Sequence, residues 1–246
     1  MICPNCEKEN RSDAAFCDSC GASLRDSDEQ RREDPASELI PESGLPTSDT
    51  FDFPANEGPT EELVTDDAFV GRAEEMAELL AALEDARSGK GRLVMVVGEP
   101  GVGKTRTSQE LALRARERDT QVLLGRCYEN PGAPPYWPWV QAIRSYLREL
   151  DTATLRRVMG SGAADIAEIV PEVREALPDL PPPLALENPE QARFRLFDSI
   201  TNFFRNATQE TPLALFLDNL HWADKPTLLL LEFLATEIGR SRLLVV

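Results

Sequence analysis

Apolar residues along the chain fall into two recurrent patterns, short unbroken runs and longer stretches with helical spacing. The unbroken runs are LVMVV at 93–97 and LALFL at 213–217, and further strands are predicted at 121–126 and 242–246. Runs of this kind are typical of strands that are buried on both faces of a sheet. The stretches with helical spacing predict helices at 72–87, from the turn after 93–97 to about 118, and at 139–149, 190–208 and 225–238.

Strands and helices therefore alternate over residues 68–246. Such alternation predicts an α/β domain in which a parallel sheet is covered by helices. Right-handed crossovers would place the turn that follows the first strand at the carboxyl edge of this sheet.

A different pattern precedes this domain. Residues 27–67 carry thirteen acidic residues, five prolines and only two basic residues, Arg31 and Arg32. A segment of this composition buries too little apolar surface to offset its ordering entropy. We interpret 25–67 as a disordered, self-repelling linker, and an acidic protein-docking segment is the alternative. The linker divides the chain into a head at 1–24 and a body at 68–246.

The head contains two C-x-x-C pairs, Cys3 with Cys6 and Cys17 with Cys20. Two such turns facing each other supply the four thiolates of a closed tetrahedral Zn²⁺ site. So short a segment has little hydrophobic core, so metal binding would supply most of its folding free energy. Two disulfides or redox-active pairs are the alternatives. The pattern resembles the short zinc ribbons, CPxC…FCxxCG, at the N-termini of many bacterial multidomain proteins, with Phe16 and Gly21 matching.

A glycine-rich turn follows the run at 93–97 directly. It has the form G-x-x-x-x-G-K-[ST] between a strand and a helix, which is the setting of a phosphate-binding P-loop. We expect its backbone N–H groups to converge on phosphate oxygens, reinforced by the dipole of the following helix. Lys104 would reach the β- and γ-phosphates, and the Thr105 hydroxyl would ligate Mg²⁺. The predicted nucleotide-binding residues of the turn are Gly98, Glu99, Pro100, Gly101, Val102, Gly103, Lys104 and Thr105.

An acidic residue follows the apolar run at 213–217. Asp218 closes this predicted strand. In P-loop proteins an acidic residue at the end of a neighbouring strand completes the Mg²⁺ site. Asp218 is therefore the predicted second metal ligand, although an Asp in this position is often only a strand terminus.

The charge of the chain restricts its partners. Its net charge is −17, whereas a general nucleic-acid surface needs clustered Lys and Arg. No apolar run approaches the roughly 20 residues of a membrane span, and no signal peptide is evident. We expect a cytoplasmic protein that binds ATP and neither nucleic acid nor membrane through these residues.

Four segments of the body resemble the AAA-type ATPase module of the STAND class. They are FVGR at 69–72, GEPGVGKT at 98–105, GRCYENPGAPPYWPWVQAIR from 125 onwards, and LALFLDNLHWAD from 213 onwards. That module occurs in large LuxR-type bacterial regulators and beside class III nucleotide cyclase domains, and is also described as an origin-recognition-like AAA ATPase. The resemblance covers residues 68–246.

The resemblance implies further roles. It places Val70, Gly71 and Arg72 near the adenine end of the nucleotide. Trp137 and Trp139 belong to a family-typical insert and are expected to be packing residues. His221, the only histidine, is expected to be structural, with sensing of the nucleotide as the alternative. Cys127 is expected to be a buried residue at a strand end.

The sequence departs from the family in two places. The acidic residue that commonly follows the strand-ending Asp is Asn219 here. An Asn side chain can orient a water molecule but cannot take its proton, so we expect slow hydrolysis. The chain also ends at Val246, where the module normally continues with a helical lid, so the ATPase domain is expected to be incomplete.

The expected function is that of a signalling ATPase module with ATP, Mg²⁺ and Zn²⁺ as ligands, in a larger regulator that contacts a protein partner or itself. Lys104, Asp218 and Asn219 are its predicted catalytic residues. The alternative is a scaffold that binds nucleotide without hydrolysing it and docks a partner through the zinc ribbon and the acidic linker.

Overall fold

The computed structural model of the protein describes residues 71–129, 132–148, 150–186 and 188–246. The predicted zinc ligands, the acidic linker and Val70 lie outside these residues. The described part alternates helices and strands in the order α1 (Ala73–Arg87), β1 (Arg92–Leu93), α2 (Lys104–Arg116), β2 (Gln121–Arg126), α3 (Trp137–Leu147), α4 (Thr152–Met159), α5 (Ala163–Ile166), α6 (Glu172–Ala176), α7 (Pro189–Ala207), β3 (Leu213–Asp218), α8 (Lys225–Glu237) and β4 (Leu243–Val245).

The strands of the described chain form one parallel sheet in the order β1-β4-β3-β2. β2 and β3 are paired along their whole length, from Gln121 opposite Leu213 to Arg126 opposite Asp218. All strands run in the same direction, so the loops that follow them meet at one edge. The predicted α/β fold of the P-loop NTPase type, with a parallel sheet covered by helices, is confirmed.

Successive residues of β3 face opposite sides of the sheet, as the pleat requires. Leu213, Leu215 and Leu217 face the larger apolar cluster, which α3 and α7 fill with Trp139, Phe203 and other large side chains. Ala214 and Phe216 face a smaller cluster beneath α1 and α2. The unbroken apolar run in β3 is thus explained by burial on both faces.

The predicted strand at 93–97 is wrong in its extent and in its burial. Only Arg92–Leu93 pairs as a strand, and Leu93, Met95 and Val97 are 37, 54 and 84% exposed. Pairing in parallel with β4 extends to the N–H of Val94, which donates to the carbonyl of Val245. Among the described residues no strand pairing extends to 95–97, and the face that carries Leu93 is exposed. The other face behaves as predicted, since Val94 and Val96 pack against the cluster beneath α1 and α2.

The predicted helices are confirmed to within two residues at each boundary. Short polar side chains set two of their starts. Asn188 accepts the N–H of Glu190 at the start of α7, and Asp224 accepts the N–H of Thr227 at the start of α8. These are N-cap bonds, which satisfy backbone donors that lack a partner within the helix. The helices α4, α5 and α6 are additional to the prediction.

The start of α3 lies unusually close to β2. A Cβ atom on Gly125 would stand 2.2 Å from the carbonyl oxygen of Pro138. Only glycine permits this approach of two backbones. The close contact fixes α3 against the carboxyl end of β2, next to the predicted site.

Candidate nucleotide-binding site

The residues after β1 turn sharply and lead into α2. Gly101 and Gly103 have φ angles of 78° and 93°, in a region that glycine adopts without steric cost. Gly98 acts differently, because a Cβ there would lie 3.0 Å from Cγ1 of Val102. The glycines predicted to bend this phosphate loop, residues 98–105, therefore serve two purposes. Two permit the left-handed turns, and one permits close packing inside the loop.

The first turn of α2 presents backbone donors next to the loop. α2 begins at Lys104, and Gly103 before it supplies no capping side chain. The first main-chain bond of the helix runs from the N–H of Thr107 to the carbonyl of Gly103, at 3.0 Å. The N–H groups that precede Thr107 have no partner within the helix, and they lie at its positive end. This arrangement suits an anion such as a phosphate.

The Lys104 side chain folds back over the phosphate loop. Its Nζ donates to the carbonyl oxygens of Gly98 and Glu99, at 2.8 and 3.0 Å. The ammonium group therefore lies at the loop as predicted, but is engaged by the loop itself. A phosphate would replace these two carbonyl contacts with a charge-assisted one. Thr105 follows in the first turn of α2 and is exposed.

Asp218 is the last residue of β3, as predicted from the sequence. β4 separates β3 from β1, so two steps of about 4.8 Å place the strand of Asp218 about 10 Å from the strand that precedes the phosphate loop. Both features belong to the carboxyl edge of the sheet. One carboxylate oxygen accepts the N–H of Asn219 at 2.9 Å, and the other lies 3.6 Å from Nε of Arg126.

Asn219 adopts a left-handed backbone conformation, with φ of 61°. Asn is among the few residues with a side chain that tolerate this region. It begins the short helical turn Leu220–Trp222, in which His221 is exposed and its ring lies 4.4 Å from that of Trp222. The backbone therefore gives a reason for Asn at 219 that is independent of catalysis.

The turn before α1 contacts the phosphate loop. Gly71 and Arg72 have φ angles of 83° and 54°, and a guanidinium N–H of Arg72 donates to the carbonyl of Val102. This contact joins residues that are thirty positions apart. The placement of this turn near the adenine stays a prediction, and what the structure adds is its contact with the phosphate loop.

The two tryptophans of the predicted insert differ in their surroundings. Trp139 is completely buried against Phe204, as expected for a packing residue. Trp137 packs partly against the same core, and it also lines a pocket of about 190 Å³ with Cys127 and Trp222. No residue of the phosphate loop lines this pocket. Trp137 is therefore partly exposed to this pocket, which the sequence did not indicate.

Cys127 is buried, as predicted, and is not linked to another cysteine. Burial raises the pKa of its thiol to about 11, and the nearby carboxylates of Asp224 and Asp218 add to the effect. A thiol with so high a pKa stays protonated at neutral pH. That Cys127 takes no part in the zinc set of the head stays a prediction.

Two residues near Asp218 were missed by the sequence analysis. Arg126 ends β2 directly opposite Asp218, and Gln141 of α3 accepts the N–H of Arg126 at 2.7 Å. Both lie in the family-like segment that begins at Gly125, but the segment itself gave no sign of a contact with Asp218, which arises from the register between β2 and β3. That segment, and a basic residue at the end of a predicted strand, were the available signals.

The two predicted metal ligands, the Asp218 carboxylate and the Thr105 hydroxyl, offer oxygen atoms of the kind that a hard cation binds. Within the described residues, no group of three or more His, Cys, Asp and Glu could hold a metal ion. Mg²⁺ is usually held by one or two protein oxygens together with phosphates and water. One carboxylate and one threonine hydroxyl therefore suffice for it, whereas a metal that needs a complete protein shell does not fit.

Comparison with known proteins agrees with these features. The family model of the AAA ATPase domain matches residues 68–246, and that of a zinc-ribbon domain matches residues 2–24. No curated protein and no solved structure matches the chain. Within the described residues no helix is long and apolar enough to cross a membrane. Because the first match spans most of the chain and includes the phosphate loop, the sheet and Asp218, the protein belongs to the AAA ATPase domain family and carries a nucleotide-binding ATPase module.

Proposed function

We propose that residues 68–246 act as the nucleotide switch of a signalling ATPase of the STAND, or origin-recognition-like, class. In this role ATP binding with Mg²⁺ stabilises one arrangement of the domain and slow hydrolysis releases it. The observation that carries the proposal is the phosphate loop, in which left-handed glycines and the start of α2 present backbone donors beside Lys104.

The backbone from Gly98 to Thr105 would bind the phosphates, and the Lys104 ammonium would exchange its carbonyl contacts for the β- and γ-phosphates. The exchange is favourable because a hydrogen bond between two charged groups is stronger than one to a neutral carbonyl. These two carbonyl contacts keep the ammonium at the phosphate loop, so binding would need only a short movement of the side chain.

The Thr105 hydroxyl and the Asp218 carboxylate would hold Mg²⁺, which when bound neutralises charge on the phosphates. The position of the two residues supports this role, because α2 begins beside Thr105 and β3 ends with Asp218 at the same edge of the sheet. The N–H of Asn219 holds one carboxylate oxygen of Asp218. That bond limits rotation of the carboxylate and leaves further lone pairs for a metal.

Hydrolysis would be slow because the residue directly after Asp218 is Asn219 and carries no carboxylate. The Asn219 amide can orient an attacking water by hydrogen bonding, but it cannot accept the proton. Slow turnover suits a switch, whose bound state must last long enough to be recognised by a partner or by another copy of the chain. A cytoplasmic location and a protein partner form part of this proposal.

The test uses the full chain and a fluorescent ATP analogue in the presence of Mg²⁺. We expect Lys104→Ala to weaken binding at least about 30-fold, because the ammonium lies at the phosphates and its loss leaves their charge uncompensated. Lys90→Ala is the matched control, since Lys90 pairs with Asp85 at the surface. Equal binding by wild type and Lys104→Ala would overturn the proposal.

A second candidate is a scaffold that binds nucleotide without hydrolysing it, with the zinc ribbon and the acidic linker docking a partner. Asn219 is the observation that favours it. Phosphate release distinguishes the two candidates. A rate that is above background in wild type and lost in Lys104→Ala supports the ATPase, whereas nucleotide binding without phosphate release supports the scaffold.

The head at 1–24 would bind one Zn²⁺ through Cys3, Cys6, Cys17 and Cys20. Four thiolates close the coordination shell of this metal, so the site would be structural and would have no open position for catalysis. The match to a zinc-ribbon domain supports this assignment. Its most direct use in a switch protein is to hold a surface for another protein.

A further inference from the structure

Asp218 and Arg126 form an ion pair at the carboxyl edge of the sheet. The two residues are direct neighbours in the register of β2 and β3, and Nε of Arg126 lies 3.6 Å from a carboxylate oxygen of Asp218. The other oxygen accepts the N–H of Asn219. Both oxygens of the proposed metal ligand therefore have a protein partner.

The backbone of Arg126 is held from several sides, which keeps this residue opposite Asp218 in the register of the two strands. The buried amide of Gln141 accepts the N–H of Arg126 at 2.7 Å. The next N–H along the chain, that of Cys127, donates to the carbonyl of Asp218 at 3.0 Å. Just before Arg126, Gly125 allows the backbone of Pro138 to approach closely.

Stability alone gives little reason for this pair. The side chains of Arg126 and Asp218 are 49 and 33% exposed, and partly exposed ion pairs contribute little to folding. The pair does, however, place a positive charge beside the carboxylate that the metal needs. A cation near a metal ligand disfavours binding of a second cation, since their charges repel.

A direct contact between Arg126 and the nucleotide is the less favoured alternative. β2 is separated from β1 by β3 and β4, so three steps of about 4.8 Å place Arg126 about 14 Å from the strand that precedes the phosphate loop. Arg72 and Lys104 already contact that loop. Asp218 is the nearer partner for the Arg126 guanidinium.

We propose that Arg126 is the resident counter-ion of Asp218 and competes with Mg²⁺ for its carboxylate, so that the metal binds well only when it arrives with nucleotide phosphates. Free Mg²⁺ must displace Arg126 with little compensation. Mg²⁺ that is bound to a nucleotide gains the phosphate oxygens as well, and the displaced guanidinium then faces a site with more negative charge. This inference rests on the proposed ATPase function, because it takes Asp218 as the metal ligand.

The experiment measures the Mg²⁺ concentration that gives half of the maximal fluorescence change at a fixed, subsaturating concentration of the ATP analogue. We expect Arg126→Gln to lower this concentration about three- to tenfold, because the competing charge is gone. Arg126→Lys keeps a charge and should stay close to wild type. Added salt at about 0.5 M should reduce the difference between Arg126→Gln and wild type, since screening weakens exposed charge pairs.

Arg156→Gln is the matched control, because Arg156 forms an exposed ion pair with Asp179 at 2.7 Å and neither residue belongs to the proposed site. The melting temperature of each variant is measured in parallel, and it should stay the same for Arg126→Gln and Arg156→Gln. A higher Mg²⁺ requirement in Arg126→Gln, or an unchanged one, overturns the inference. If wild type binds the analogue and Lys104→Ala does not, a contradicting Mg²⁺ requirement in Arg126→Gln overturns only the inference about Arg126 and leaves the proposed function standing. If wild type fails to bind, the proposed function itself fails.

Discussion

Arg72 and Val102 are joined across thirty positions of the chain, since the guanidinium of the first donates to the backbone carbonyl of the second. Arg72 stands in a left-handed turn just before α1, and Val102 lies in the phosphate loop. The contact fixes a carbonyl between the two left-handed glycines of the loop, Gly101 and Gly103. The start of α1 therefore restrains the loop that would bind phosphate.

Substitution of Arg72 should weaken nucleotide binding without unfolding the domain. We expect Arg72→Ala to lower affinity for the ATP analogue about three- to tenfold, because the loop loses its restraint and must order on binding. Arg72→Lys should restore only part of the affinity, since an ammonium lacks the planar fork of the guanidinium. Titration of the analogue measures the effect, and circular dichroism checks the fold. Wild-type affinity in Arg72→Ala would show that the contact does not organise the loop.

An acidic residue at position 219 should accelerate hydrolysis. A carboxylate there could accept a proton from the attacking water, and general-base catalysis contributes about 10²-fold or more. We expect Asn219→Asp to raise the rate of phosphate release at least about tenfold over wild type. Asp tolerates the left-handed backbone with φ of 61° better than most residues, so the fold should persist.

Asn219→Ala is the control for this experiment, because it removes the amide without adding a base. It should not accelerate phosphate release, and it should lower stability because Ala is disfavoured in a left-handed conformation. Equal rates for wild type and Asn219→Asp would show that the identity of residue 219 does not limit hydrolysis.

Zinc content should depend on the head cysteines and not on the buried one. We expect about one Zn²⁺ per wild-type chain and a large loss in Cys17→Ser, since the proposed site has no spare ligand. Cys127→Ser is the matched control and should keep the metal, because Cys127 is buried in the body of the protein. Metal analysis of the purified proteins gives the result. Full zinc content in Cys17→Ser would contradict the four-cysteine site.

The close contact between β2 and α3 should make Gly125 intolerant of a side chain. A Cβ at this position would stand 2.2 Å from the carbonyl oxygen of Pro138, so the two backbones must separate. We expect Gly125→Ala to lower the free energy of unfolding by at least about 2 kcal/mol. Urea unfolding can be followed by tryptophan fluorescence, to which the completely buried Trp139 contributes.

Gly239→Ala is the corresponding control, because a Cβ there would meet no heavy atom within 4 Å. It should change the free energy of unfolding by less than about 0.5 kcal/mol. A Gly125→Ala variant as stable as Gly239→Ala would show that α3 and β2 separate easily. In that case the anchor of Arg126 through Gln141 would be weaker than the structure indicates.

Helices shorter than about nine residues escaped the sequence analysis. The helices α4, α5 and α6 contain eight, four and five residues. Helical periodicity needs a window of about 11 residues or more to be distinguished from other patterns. The helices α4 and α5 pack against α7, and α6 packs against α5. Such packing has no local signature.

The sequence by itself determined the features that depend on local chemistry. Apolar runs and helical spacing identified the longer elements. The glycines, lysine and threonine predicted the sharp turn into α2 that the structure shows, because the required backbone bend and charge arise from neighbouring residues. Asp218 could be predicted in the same way, from its position at the end of an apolar run.

Only the tertiary structure decided which distant residues meet. The strand order places Arg126 beside Asp218, and the path of the chain before α1 brings Arg72 to Val102. It also decided that one face at 93–97 is exposed, because burial depends on what lies next to a strand and not on its own composition. Such contacts arise from the packing of whole elements, so no short stretch of sequence carries a signal for them.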